Sequence, residues 1–167
     1  MKSLLAASGF LLLILLVSCT NDPKTPEDVA PELSLEEAIL GTWETIELEI
    51  HSPTYQGEDT TVHQLIKEAD WARVYGVQPS RTVFTADGKL KRTHKLVDGQ
   101  DAGVINGLWK VTETDSLFII EPEVTYTYAP KMENQRLTLS GIVDYDFDGE
   151  KDDEYRSVMR LVGRTNQ

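Results

Sequence analysis

The sequence predicts an all-β fold: an eight-stranded antiparallel up-and-down barrel with one amphipathic helix inserted between its first and second strands. Three observations predict it. Short runs of alternating apolar and polar residues recur from Gly41 to Val162, each bounded by Gly, Pro, Asn or Asp, as strands joined by tight turns are. Asp-Gly pairs at 87–88, 98–99 and 148–149 fall between such runs and mark hairpins. One stretch, Thr61 to Tyr75, departs from the alternation, with Val62, Leu65, Ile66, Ala69 and Ala72 at helical spacing. Eight strands in sequence can close on themselves, which removes sheet edges and leaves room for one small ligand.

The chain begins with a segment that is not part of that barrel. Met1-Lys2 is a short positive region, Leu4 to Val17 is almost wholly apolar, and Leu16-Val17-Ser18-Cys19 ends in small residues, the layout of an export signal. The apolar run is about 14 residues where a membrane span needs roughly 20. This ending resembles a bacterial lipobox. The resemblance implies cleavage before Cys19, lipidation of that residue with acyl chains such as palmitate, and anchorage in a membrane leaflet of the cell envelope. Thr20 follows in place of an aspartate, which points to the outer membrane. Cys19 is the sole cysteine, so no intrachain disulfide forms and lipidation gives it a purpose. The predicted division is a signal peptide at 1–18, a tether at 19–32 and a barrel domain at 33–167.

Roughly 150 residues remain after cleavage, enough for one domain with a core. The formal net charge of the full chain is -12, and loss of Lys2 makes it more negative. Such a surface lacks the positive footprint that phosphate backbones require, so nucleic acid is excluded as a partner. A monomer is expected.

The elements follow in order. Three prolines and few large apolar residues between Thr20 and Pro31 predict an extended tether. Ser34-Leu-Glu-Glu37 fits a capping box, and Gly41 ends the short helix at Leu40. Strands are expected at about 41–51, 81–85, 90–97, 104–112, 116–121, 123–129, 135–143 and 154–162. On strict alternation Trp43 shares a face with Thr45, Glu47, Glu49 and His51, while Ile46, Leu48 and Ile50 lie opposite. Either a bulge re-aims the strand, or its apolar face lies outward beneath a cover. The predicted helix at 61–75 supplies a cover, packing against the barrel or gating its mouth, with Trp71 and Tyr75 as the residues of interest.

Gly41-Thr-Trp43 after a short helix resembles the lipocalin motif in which tryptophan packs at the closed end of a barrel. The Phe84-Thr-Ala-Asp-Gly-Lys89 hairpin, Gly107-Leu-Trp-Lys-Val111 and the apolar Leu117-Phe-Ile-Ile120 strand extend the likeness. From roughly Leu33 to Gly163 the chain is similar to the lipocalin-like lipoproteins of Gram-negative gut bacteria. That resemblance implies a fold and a location more firmly than an activity, and a last-strand arginine, Arg160 or Arg164, over Trp43. For a small, apolar ligand in the barrel the candidate contacts are Trp43 and, from strand alternation, Trp109, Tyr126 and Tyr128. The competing reading is a solid-cored structural or protein-interaction lipoprotein without a small ligand.

The most chemically loaded stretch is 144–154, where seven of eleven residues are acidic and Lys151 is the sole positive charge. Asp144, Asp146 and Asp148 alternate and Gly149 follows, which matches the opening of a calcium loop, since a hard cation takes six to eight oxygens. The expected ligands are Asp144, Asp146, Asp148, the carbonyl of Glu150 and one of Asp152 or Asp153. Tyr155 stands where an EF-hand has glutamate, and strands flank the loop, so calcium would be a structural staple and not a sensor. The alternative is a metal-free acidic hairpin, for which Asp148-Gly149 suffices.

No catalytic set emerges. His51, His63 and His94 are scattered and each is expected to face solvent. There is no Gly-x-Ser-x-Gly elbow or phosphate-cradling loop, and Glu47 and Glu49 lie on one face of one strand, unlike carboxylates that straddle a bond. An enzyme is not expected.

Overall fold

The computed structural model describes residues 33–164; the export signal, Cys19 and the tether lie outside the described residues. Helix α1 (Leu35–Ile39) starts where the capping box places it. Ser34 Oγ accepts from the Glu37 N–H at 3.2 Å, and the Ser34 N–H donates to Glu37 Oε2 at 3.0 Å, so both orphan donors of the first turn are satisfied. Strands β1 (Gly41–Ser52) and β2 (Val62–Lys67) come next, then a 3₁₀ turn at Glu68–Asp70 and helix α2 (Trp71–Tyr75). Seven strands complete the fold: β3 (Arg81–Phe84), β4 (Lys89–Lys95), β5 (Asp101–Val111), β6 (Leu117–Ile120), β7 (Thr125–Glu133), β8 (Arg136–Val143) and β9 (Asp153–Gly163).

Each of β3 to β9 pairs antiparallel with its predecessor in the sheet, and β9 returns to β1 along Thr42–His51. Strand β1 together with β3 through β9 therefore closes an eight-stranded barrel. Closure brings the start of β1 and the end of β9 together tightly. A Cβ at Gly41, where φ is +138°, would sit 2.6 Å from the Gly163 carbonyl oxygen, so only glycine fits there.

The face conflict on β1 is resolved by a bulge. Thr45 pairs with Met159 and Glu47 with Val158, which leaves Ile46 as the extra residue and reverses the alternation after it. Trp43 and Thr45 are buried before the bulge, and Leu48, Ile50 and Ser52 after it. Glu47 and Glu49 consequently reach Arg156, at 2.6 and 3.6 Å.

The expected helix at 61–75 is corrected in its first half. Residues 62–67 form β2, and only Trp71–Tyr75 is α-helical. The reason lies in β1, whose free edge pairs with β3 only over Gly41–Glu44. Its remaining edge groups, from Glu47 to Ser52, are satisfied by β2. Unpaired backbone polar groups outweigh a helical apolar period of six residues.

Strand direction distinguishes the two ends of the barrel. Helix α1 and the β3–β4 turn lie at the end where β1 starts. There Trp43 Nε1 donates to the Ile39 carbonyl at 2.7 Å and Trp109 Nε1 to the Thr85 carbonyl at 3.1 Å. Arg164 Nη1 donates to the carbonyls of Ala38 and Leu40, on either side of Ile39. Arg164 is thus the arginine at the closed end. Arg160 instead bridges Glu44 and Glu68, tying the 3₁₀ turn to the barrel wall. Burial pushes the Glu44 carboxyl up, but hydrogen bonds and charge from Arg160 and Arg81 hold it below the ordinary carboxylate value.

Candidate functional site: the barrel cavity and its acidic rim

The closed end is filled by an apolar cluster that includes Ile39, Trp43, Phe84 and Trp109, the last two rings meeting edge to face at 5.5 Å. Above it the barrel is hollow. The cavity measures about 470 Å³. Phe84, Ile119, Leu139 and Met159 line it toward the closed end, and Leu48, Trp71, Val77 and Val143 contribute further apolar wall. Tyr126 stacks on Tyr128 with ring centroids 5.8 Å apart, and Tyr128 meets Tyr155 at 5.2 Å, so β7 and β9 present a continuous aromatic surface. Gly141 makes room for it, since a Cβ there would lie 3.1 Å from the Tyr128 ring and 2.6 Å from the Thr127 carbonyl oxygen.

Burial, reinforced by the neighbouring phenol of Tyr155, raises the Tyr128 hydroxyl far above its ordinary value; burial and nearby Glu121 raise Tyr126. Both remain neutral hydrogen-bonding groups at physiological pH. Further polarity comes from an ion pair. Arg92 Nη1 lies 2.7 Å from Glu121 Oε1, with the glutamate side chain only 7% exposed. Gly107 permits the approach, because a Cβ at that position would meet the Ile120 carbonyl oxygen at 2.5 Å and the Glu121 stem at 3.5 Å. His94, one turn of the pleat farther along β4, also lines the cavity. Burial pushes its imidazole below the usual value, and the positive charge of Arg92 adds to this.

Of the four candidate ligand contacts, Tyr126 and Tyr128 line the cavity. Trp43 and Trp109 do not. Their indoles are buried among closed-end side chains and committed to backbone carbonyls, so they form the floor's foundation and not its surface. His51 and His63 pair across β1 and β2 beside Glu154 and Glu49. His94 departs from the solvent-facing expectation because it shares a face with buried Leu90. Arg92 falls on that same face, and its period-2 relation to Leu90 was the available signal. Glu121 continues the face of buried Leu117 and Ile119, and Gly107 across the sheet leaves room for its side chain.

The acidic loop stands at the open end, where β8 hands over to β9. Asp144, Asp146 and Asp153 each direct an oxygen into a cluster whose ligand atoms lie within 4.8 Å of one another. Carboxylate oxygens at that separation can all touch one hard cation at about 2.4 Å. Asp153 is fully buried. Its Oδ2 accepts from the Tyr145 N–H, while its Oδ1 is buried without a partner, as are Asp144 Oδ1 and Asp152 Oδ1. An unpaired buried carboxylate is costly, and the donor set, all hard oxygen, fits calcium or magnesium. Of the expected alternatives Asp152 and Asp153, it is Asp153 that joins the cluster. Asp148 is turned aside, its two oxygens accepting from the N–H groups of Gly57 and Glu150. Asp152 accepts from Thr54 Oγ1 at 2.7 Å.

The loop is also part of the cavity wall. Asp144, Tyr145 and Phe147 line the opening, and Phe147, at φ +62°, is 83% exposed. Comparison with known protein families and with curated proteins finds no match for this chain.

Proposed function

We propose that this chain is a lipid-anchored, lipocalin-like protein of the cell envelope, held at the outer membrane through Cys19, which carries a small apolar ligand in its barrel and a structural calcium ion in the 144–153 loop. The observation that carries the reading is the cavity of about 470 Å³ inside a closed barrel, within the roughly 300–1,000 Å³ of small-molecule sites. Its aromatic and aliphatic wall suits an apolar body. Glu121 already neutralises Arg92, so a ligand's polar end would be a neutral hydroxyl or carbonyl and not a second carboxylate. Support for the anchor is the Leu16-Val17-Ser18-Cys19 sequence, and support for the lipocalin likeness is Gly41-Thr-Trp43 at the closed end. Support for calcium is the orphaned oxygen of buried Asp153 beside Asp144 and Asp146.

Native mass spectrometry of protein purified without denaturation tests the binding reading. A non-covalent adduct that is lost on mild activation is expected. Clean apo protein that also takes up no added lipid or aromatic compound would favour a scaffold.

A further inference from the structure

The cation cluster and the cavity are not two separate sites, because they share residues. Asp144 is both a cluster carboxylate and a piece of the cavity wall. Tyr145, the next residue, is bound at both ends. Its N–H donates to the cluster residue Asp153, and its hydroxyl lies 2.9 Å from that of Tyr75 on α2. Tyr75 and Tyr145 both line the cavity, so their hydroxyl contact is a bar between α2 and the β8–β9 loop across its opening. The other side of the loop is tied to the β1–β2 connection, where the Gln56 N–H donates to Asp146 and the Gly57 N–H to Asp148.

We infer that a divalent cation held by Asp144, Asp146 and Asp153 latches the cavity mouth, so that cation binding and apolar-ligand binding are positively linked. The acidic cluster alone would not carry this. The independent sign of a cation is Asp153 Oδ1, an unpartnered carboxylate oxygen on a fully buried residue. Without a cation, three carboxylates within 4.8 Å repel one another, and Asp144 and Asp146, held by backbone N–H groups of the loops and not by a strand ladder, carry the rim residues Tyr145 and Phe147 between and beside them. Separation of those carboxylates withdraws Tyr145 from Tyr75 and opens the mouth. A cation reverses the repulsion, restores the bar and places Tyr145 and Phe147 against whatever occupies the cavity. Linkage is reciprocal, so the ligand must strengthen cation binding by the same factor.

The inference rests on the barrel being a ligand container, and the test separates the two. The probe is N-phenylnaphthylamine, a neutral apolar fluorophore, titrated into the protein with calcium or with chelator; calcium affinity is measured by calorimetry with and without the probe. Calcium should tighten probe binding by roughly fivefold or more, and the probe should tighten calcium binding by an equal factor. Tyr75→Phe, which removes only the bar's hydroxyl, should bring both factors down toward one. Asp146→Asn should abolish calcium binding while the probe still binds as it does to the chelated wild type. Probe binding that is equal in calcium and chelator overturns the latch and leaves the container reading standing. Probe binding in neither condition overturns both, absence of calcium binding overturns the cation site and the latch, and undiminished linkage in Tyr75→Phe overturns the bar.

Discussion

The indole N–H of Trp43 and the carbonyl of Ile39 meet at 2.7 Å, and both residues are completely buried. This bond joins β1 to the helix that closes the barrel, and Arg164 holds the carbonyls on either side. Trp43→Phe keeps most of the apolar volume but strands the Ile39 carbonyl, which should cost about 1–3 kcal/mol. Urea denaturation is expected to show a lower midpoint with an unchanged slope. Arg164→Ala, at an exposed site, should cost about 1 kcal/mol or less, and the double variant should fall short of the sum because both act on one turn.

Calcium should raise the melting temperature. A ligand that binds only the folded state adds about 2.7 kcal/mol at a hundred times its Kd, worth several degrees in a domain of this size. Asp146→Asn should remove the rise. Asp148→Asn should keep most of it, because Asp148 stands outside the cluster of converging carboxylates. Scanning calorimetry in calcium and in chelator reads both.

Arg92 and Glu121 form the barrel's buried ion pair. Arg92→Met should destabilise by about 3 kcal/mol, since it leaves the largely buried Glu121 carboxylate uncompensated. Adding Glu121→Gln should restore much of the loss. Chemical denaturation of the two single variants and the double supplies the cycle.

His94 gives the cavity a pH dependence. Its folded pKa is depressed by burial and by Arg92, so the unfolded chain takes up the proton more readily. Its contribution is fully present above the ordinary histidine value of about 6.5 and is lost as pH falls from there through the depressed folded pKa. His94→Gln should flatten the stability profile in that window while leaving it unchanged at pH values above it. Denaturation midpoints measured from neutral to mildly acidic pH check this.

The eight barrel strands are legible in the sequence because most alternate with period 2 and the short runs are separated by strong turn residues, as at Asp87-Gly88. Helix α1 is legible from Ser34 and Glu37, whose capping is local. Residues 62–67 are not, because their strand state is imposed by the unsatisfied edge of β1, which exists only after the barrel closes. The bulge at Ile46 could be posed as an alternative but not chosen, since it depends on register with β9. At the acidic loop the composition was plain, yet the convergence of Asp153 with Asp144 and Asp146 depends on Asp153 pairing with Val143 at the start of β9. The Arg92–Glu121 pair was hidden because its two members are brought together by the order of β4, β5 and β6.

Leu139 lines the cavity and is nearly fully buried, so Leu139→Trp pushes a larger ring into the space a ligand would occupy. Fluorescence titration with N-phenylnaphthylamine in calcium should show saturable, single-site binding to the wild-type protein and loss of that binding in Leu139→Trp, with circular dichroism showing that the variant keeps the β fold at the temperature of the titration. Equal binding by the two proteins, or no binding by either, would contradict the account.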